Sequence, residues 1–137
     1  MHYEYCSCTD TGRVRTNNED AASLDPQHRA ALLADGMGGY NAGEVAAHMA
    51  TTGVRAELAA WMDRLPRPLD LAPQQLAEAL QTCIETTNRA IYGAAQAQHQ
   101  WAGMGTTLVA AVFCGTHVVL GHVGDSRCYR LRGGSME

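Results

Sequence analysis

The stretch 31–39 constrains the fold most, because four small apolar residues lead into a carboxylate and then into three glycines within four positions. An apolar run that ends at glycines predicts a buried strand followed by a tight turn. Asp35 would then lie at the mouth of a core strand, and Gly36, without a Cβ, could turn its carbonyl toward a ligand. Such oxygens suit a hard cation such as Mg²⁺ or Mn²⁺, although Asp-Gly alone more often marks a surface turn.

Hydrophobic periodicity along the chain predicts an α+β fold, with helices packed on an antiparallel sheet. The predicted elements, in chain order, are strands at 2–9, 21–24 and 31–34, helices beginning at Asn41 or Gly43 and at Pro73, a hairpin over 106–114 and 117–124, and a strand over 127–131. We expect the first helix to end by 65–68, where two prolines stand. The predicted core-facing helix residues are Val45, Met49, Val54, Leu58 and Trp61, then Leu76, Leu80, Cys83, Ile84, Ile91 and Ala94. His122 is expected to be a structural histidine on a core strand.

Composition excludes several classes of function. The chain has 137 residues, of which 46% are hydrophobic, as expected of one globular domain or part of one. A net charge of −4 gives no electrostatic case for nucleic acid or an anionic membrane. No signal-peptide pattern and no membrane-spanning apolar stretch is evident, so we expect a cytoplasmic protein. The five cysteines lack paired Cys-x-x-Cys spacing, which argues against structural zinc and favours reduced thiols.

Acidic residues stand beside strand ends or polar turns at three places, namely Glu19-Asp20, Asp35 and Asp125. Carboxylates brought together repel one another, and bound divalent cations relieve that repulsion. Two cations that share a carboxylate can lower the pKa of a bridging water for in-line attack on phosphorus. Arg15 is the candidate to hold a phosphate, because its planar guanidinium matches phosphate oxygens.

Four motifs in order along the chain carry a family resemblance, and they are Arg15-x-Asn17-Asn18-Glu19-Asp20, Ala34-Asp35-Gly36-Met37-Gly38-Gly39, Gly103-Met104-Gly105-Thr106-Thr107 and Gly124-Asp125-Ser126-Arg127. Together they resemble the PPM family, the type 2C metal-dependent protein serine/threonine phosphatases, in its bacterial branch. The resemblance implies an α-β-β-α sandwich, in which two antiparallel sheets are flanked by helix pairs. Residues 1–137 would form the N-terminal part of that domain.

The resemblance also implies roles for individual residues. Asp35 would bridge two Mn²⁺ or Mg²⁺ ions, and the Gly36 carbonyl would ligate one of them. Glu19 and Asp20 would act near or through metal-bound waters, and Asp125 would help to hold a third ion. Arg15 would orient the substrate phosphate.

Two interpretations of function stay open on the sequence alone. The leading one is hydrolysis of phosphoserine and phosphothreonine on proteins, which would oppose a cognate serine/threonine kinase. The alternative is a catalytically inactive PPM-like module that binds a phosphoprotein or a partner chain. The intact Asp35 and Glu19-Asp20 favour the first, whereas two further metal-ligating aspartates of the family have no counterpart before residue 137, which favours the second.

Overall fold

One antiparallel sheet carries two long helices on one of its faces in the computed structural model, which describes residues 2–39, 42–66 and 71–137. The elements are β1 (Asp20–Asp25), β2 (Ala30–Met37), α1 (Ala42–Met62), α2 (Pro73–Ala97), a 3₁₀ turn (His99–Trp101), β3 (Gly105–Thr106), β4 (Leu108–Cys114), β5 (His117–Val123), β6 (Leu131–Arg132) and β7 (Ser135–Met136). The strand order is β1-β2-β4-β5, and β3 extends the pairing of β2. The predicted α+β fold is confirmed.

Alternation along β2 determines which residues reach the core. Ala30, Leu32, Ala34 and Gly36 are buried, and the residues between them are more exposed. Because successive strand side chains point to opposite faces, the buried set packs against α1 and Asp35 lies on the other face. One face of the central strand therefore belongs to the core, and the other face carries the Asp35 carboxylate.

Small side chains bring α1 close to the sheet. Its buried positions include Ala42, Ala46, Ala47 and Ala50, in addition to the predicted Val54 and Leu58. The predicted Val45, Met49 and Trp61 are only half-buried. The apolar stripe of α2 is confirmed more closely, since Leu76, Leu80, Cys83 and Ile91 are all buried. Each such leucine stabilises the fold by roughly 2 kcal/mol relative to leaving it exposed.

The ends of the predicted elements agree in part. The strand at 21–24, the start of α2 at Pro73 and the hairpin of β4 and β5 are confirmed. Asn41 and residues 67–68 lie outside the described residues. The prediction that the central strand ends before Asp35 is wrong, because β2 continues to Met37 by pairing with β3. Gly36 takes part in that pairing, and the strand ends before Gly38 and Gly39.

The predicted strand at 2–9 is also wrong. Residues 2–10 pair with no strand in the described part of the chain, and alternating polarity cannot form a strand without a hydrogen-bonding neighbour. Instead, the rings of Tyr3 and Tyr5 pack on Phe113, with centroids 4.8 and 6.2 Å from it. The Arg29 guanidinium lies 5.6 Å from the Tyr3 ring centroid. This segment covers one end of the sheet face that is turned away from the helices.

The end of the described chain differs from expectation too. The predicted strand at 127–131 is wrong, because residues 127–130 are in no strand and β6 begins only at Leu131. Gly133 and Gly134 both have positive φ, and they turn the chain back so that β6 pairs with β7. His122 is exposed rather than in the core, since it pairs with Val109 on the face turned away from the helices. On the same face Leu33 is 38% exposed. No helix among the described residues has the length and apolar character needed to cross a membrane.

Candidate functional site

Asp20 and Asp35 stand directly opposite each other across β1 and β2. Protein atoms around the Asp20 carboxyl remove part of its hydration, although solvent still reaches the side chain, and this raises the pKa of Asp20 above 3.8. The negative charge of Asp35 and a hydrogen bond with its carboxyl raise that pKa further. Two of the predicted site residues are thus brought together, and their mutual repulsion favours either a proton or a cation between them.

Glu19 joins this pair to the start of α1. Its carbonyl oxygen accepts a hydrogen bond from the Gly36 N–H at 3.0 Å. Its carboxyl group lies so close to Gly43 that a Cβ on that glycine would be 2.9 Å from Glu19 Cδ. Gly43 is in the first turn of α1, where a carboxylate interacts favourably with the helix dipole. The Glu19 side chain is consequently packed between the strand pair and the helix.

Gly36 is required for close packing of backbone on backbone. A Cβ at Gly36 would be 2.0 Å from the Gly43 carbonyl oxygen and 2.8 Å from the Glu19 carbonyl oxygen. The sequence suggested that Gly36 is a glycine so that its carbonyl can face a ligand, and the structure supplies a steric reason instead. Ligation by that carbonyl stays a prediction.

Arg15 lies at the exposed margin of the acidic site. Its Nη1 is 3.9 Å from Glu19 Oε2, and 71% of its side chain is exposed. Its positive charge also acts on Asp20, where it lowers the pKa against the stronger effects of burial and of Asp35. A long, exposed guanidinium beside carboxylates is free to reach toward a phosphate in solution.

Hydroxyl groups fix the backbone of Asp35. The Asp35 N–H donates to Thr107 Oγ1 at 2.9 Å, and the Asp35 carbonyl oxygen accepts from Thr106 Oγ1 at 3.0 Å and from the Thr107 N–H at 2.9 Å. Thr107 Oγ1 also lies 2.6 Å from Ser126 Oγ. Sequence reasoning treated 103–107 as a structural strand and missed this network, for which the consecutive threonines were the available signal.

Asp125 precedes Ser126 in the turn after β5, so the hydroxyl network places it at the same end of the sheet as Asp35. Gly124 has φ +92°, and a Cβ there would be 2.7 Å from Thr107 Cγ2, so a glycine is needed to form this turn against β3 and β4. The Asp125 side chain is exposed. Its predicted role toward a third ion remains a prediction.

The donor set suits a hard divalent cation but is not complete by itself. Across 2–39, 42–66 and 71–137, no three His, Cys, Asp or Glu side chains form a group that could hold a metal. The Asp20 and Asp35 carboxyl groups are nevertheless paired and reachable from solvent. Mg²⁺ and Mn²⁺ accept carboxylate, carbonyl and water oxygens together, so this pair fits part of such a coordination shell.

Comparison with known proteins identifies the family of the chain. A family model described as protein phosphatase 2C matches residues 10–137. The chain belongs to the protein phosphatase 2C family. Within this family, it is 38% identical over 135 residues to the serine/threonine phosphatase stp of Listeria innocua, a match that covers 96% of this chain and 50% of stp. It is 40% identical over 132 residues to the serine/threonine protein phosphatase PstP of Mycobacterium tuberculosis, covering 96% of this chain and 23% of PstP.

Solved structures of family members extend the match to the fold. The catalytic domain of PstP in complex with two manganese ions superposes with a TM-score of 0.73 at 40% identity, covering 93% of this chain and 50% of that one. Stp1 from Staphylococcus aureus superposes with a TM-score of 0.80 at 34% identity, covering 93% and 49%. The chain thus has the mixed α/β fold of the bacterial phosphatases over about half of their length.

Proposed function

We propose that this chain hydrolyses phosphoserine and phosphothreonine in proteins at a divalent-metal site built around Asp35. The observation that carries the proposal is the pairing of Asp20 with Asp35 at the margin of the sheet, where the two carboxylates repel each other. Family membership supports the reaction class, and a family member named PstP has been solved with two manganese ions. The chain spans about half the length of the curated stp relatives it matches.

Each acidic residue has a proposed role at this site. Asp35 would be the ligand shared by two ions, and the Gly36 carbonyl would serve one of them. Glu19 and Asp20 would hold ion-bound waters through their carboxylates, and Asp125 would hold a third ion. When bound, Mn²⁺ or Mg²⁺ lowers the pKa of a water and stabilises negative charge that develops on the phosphoryl group.

The chain's own contribution is to keep these groups in place. The hydroxyls of Thr106 and Thr107 fix the backbone on both sides of the Asp35 side chain, which limits the positions that its carboxylate can take. Arg15 would bind the substrate phosphate, since its guanidinium stands at the exposed edge of the acidic pair. The proposed substrates are phosphoproteins in the bacterial cytoplasm, phosphorylated by a cognate serine/threonine kinase.

The test is release of inorganic phosphate from a phosphothreonine peptide by the purified chain, with Mn²⁺, with Mg²⁺ and with a chelator. We expect release that depends on the metal, that falls to background in Asp35→Ala, and that shows mainly a raised KM in Arg15→Ala. Arg13→Ala is the matched control, because Arg13 is also exposed on the preceding turn. Release that persists in the chelator or in Asp35→Ala would contradict the proposal.

A folded wild-type chain that releases no phosphate would contradict catalysis by this chain. The second candidate function, a phosphoprotein- or partner-binding module, would then apply. The absence of a three-residue ligand group in the described ranges favours that candidate. It predicts that the phosphopeptide binds without turnover and that Arg15→Ala weakens the binding.

A further inference from the structure

The turn that follows β5 encloses the side chain of Thr107. The hydroxyl oxygen of Thr107 lies 2.6 Å from Ser126 Oγ, and a Cβ built on Gly124 would be 2.7 Å from the methyl carbon Cγ2 of Thr107. The turn thus contacts both branches of the threonine, which is only 8% exposed. A change of χ1 rotamer would move both branches together. The turn therefore holds Thr107 in one rotamer.

The hydrogen bonds of the Thr107 hydroxyl have a definite direction. A hydroxyl group carries one proton and two lone pairs, and the Asp35 N–H donates to one of these lone pairs at 2.9 Å. The proton of a buried hydroxyl also needs an acceptor, because leaving it unpaired is unfavourable. Within the described residues, the acceptor that lies within hydrogen-bonding distance of this hydroxyl is Ser126 Oγ. Thr107 is consequently the donor to Ser126.

This direction links Ser126 to the backbone of Asp35. A hydroxyl accepts an N–H more strongly when it donates its own proton to a further group, since each hydrogen bond polarises the next. The O···O distance of 2.6 Å is also at the short end for a bond between hydroxyls. Without the Ser126 hydroxyl, the proton of Thr107 would lose its acceptor, and the contact that selects its rotamer would be lost with it.

We propose that Ser126 is a positioning residue for Asp35. It holds the Thr107 hydroxyl toward the Asp35 N–H, and it thereby limits where the Asp35 carboxylate can lie. The effect on metal binding rests on the proposed function, whereas the effect on the Asp35 backbone is a property of the metal-free chain.

The first test uses Ser126→Ala in the full chain without metal. In ¹H–¹⁵N NMR, the amide proton of Asp35 reports the strength of its hydrogen bond, and three-bond couplings report the χ1 populations of Thr107. We expect the Asp35 amide proton to move upfield and the Thr107 side chain to populate more than one rotamer. Ser126→Thr, which keeps a hydroxyl, should restore both signals, and Ser135→Ala, in the exposed strand β7, should leave them unchanged. Wild-type values of both signals in Ser126→Ala would overturn the proposal.

The second test is a Mn²⁺ titration of the same variants. Ser126→Ala should weaken binding about five-fold, as expected for the loss of one hydrogen bond. In the background Thr107→Val, which lacks the connecting hydroxyl, Ser126→Ala should change the affinity by less than about two-fold. If Ser126 acted by a route other than Thr107, the two effects would be additive, and that result would overturn the proposal. A wild-type chain that binds no Mn²⁺ would contradict the proposed function alone, because the metal-free NMR signals still decide the role of Ser126.

Discussion

Asp35 and Thr107 are hydrogen-bonded to each other twice, once through the backbone and once through the threonine side chain. The Thr107 N–H donates to the Asp35 carbonyl oxygen, and the Asp35 N–H donates to Thr107 Oγ1, both at 2.9 Å. Because Thr107 Oγ1 also contacts Ser126, the central strand, β4 and the turn after β5 are joined at one hydroxyl. The carboxylate on which the proposed chemistry depends is thereby positioned by a residue distant in sequence.

Thr107→Val should remove one of the two hydrogen bonds that position Asp35. The substitution conserves side-chain shape but leaves the Asp35 N–H without its acceptor in a partly buried position, which costs about 1 kcal/mol in the free energy of unfolding. Affinity for Mn²⁺ should fall as well, since Asp35 is less well fixed. Urea unfolding and a Mn²⁺ titration measure the two effects. The control Thr116→Val, in the exposed turn between β4 and β5, should change neither, and equal stability of Thr107→Val and wild type would contradict the assignment.

Asp20→Asn should stabilise the metal-free protein but reduce the stabilisation that bound metal provides. The raised pKa of Asp20 means that its charged form opposes folding at neutral pH, because burial and the Asp35 carboxylate disfavour that charge. Removing one of two like charges on directly opposed strand positions should stabilise the metal-free protein by roughly 0.5 kcal/mol. The same change should reduce the increase in Tm that Mn²⁺ produces. Thermal unfolding in a chelator and in Mn²⁺ gives both values, and a metal-free Asp20→Asn that melts below wild type would be evidence against repulsion.

Gly36→Ala should be among the most damaging single substitutions. The new methyl would meet the backbone of Gly43 and Glu19, and neither strand β2 nor α1 can move without disturbing the core. We expect a loss of about 3 kcal/mol or more in the free energy of unfolding. Gly93→Ala is the matched control, because nothing lies within 4 Å of that position on α2, and the better helix former should stabilise by about 0.5–1 kcal/mol. Chemical denaturation compares the two, and a mild effect of Gly36→Ala would show that the close approach is absent.

His28 connects the turn after β1 to the end of α1. Its Nδ1 lies 2.8 Å from Asp25 Oδ2, and its Nε2 lies 3.0 Å from Asp63 Oδ1. Burial alone would lower the pKa of His28, but hydrogen bonds with Asp63 and Asp25 outweigh it and raise that pKa above 6.5. Burial would likewise raise the pKa of Asp25, but the hydrogen bonds with His28, together with its charge and that of Arg55, lower it below 3.8.

These directions predict the pH dependence of stability. The contribution of His28 is fully present below pH 6.5 and is lost as the pH rises through the raised pKa of the folded state. The contribution of Asp25 is fully present above pH 3.8 and is lost as the pH falls through the lowered pKa. For the wild type we therefore expect the free energy of unfolding to decline by roughly 1 kcal/mol between about pH 5 and about pH 8. In His28→Gln this decline should be largely absent. Asp63→Asn should reduce the decline in part, and an unchanged slope in both variants would rule out this ion pair.

Local patterns predicted the elements well where a residue's neighbours in sequence decide its structure. The run of small apolar residues at 31–34 identified β2, and Pro73 marked the start of α2. Local patterns gave wrong predictions where the structure of a segment depends on a partner far away in sequence. The segment at 2–9 alternates like a strand but has no neighbouring strand among the described residues, and β2 passes beyond Asp35 because Gly105 and Thr106 pair with it. His122 lies on the less covered face, which periodicity cannot distinguish from the core.

The sequence predicted which residues belong to the candidate site, but it did not predict most of the contacts between them. Glu19-Asp20 and Asp35 were named as candidates because carboxylates followed or adjoined apolar runs, and the register of β1 with β2 then placed Asp20 opposite Asp35. The close approach of Gly36 to Gly43 and the hydroxyl bonds to Asp35 depend on tertiary contacts between segments far apart in sequence. No local pattern contains that information.

The most direct test of the account is a Mn²⁺ titration of the chain, followed by electron paramagnetic resonance of the free ion. We expect saturable binding by wild type, weakening of at least ten-fold in Asp35→Asn, and a smaller loss of affinity in Asp20→Asn. The exposed carboxylate Asp10, in the turn before Arg15, supplies the control Asp10→Asn, which should bind as wild type does. Equal Mn²⁺ affinity in wild type and Asp35→Asn would contradict the claim that this pair of carboxylates is the metal site.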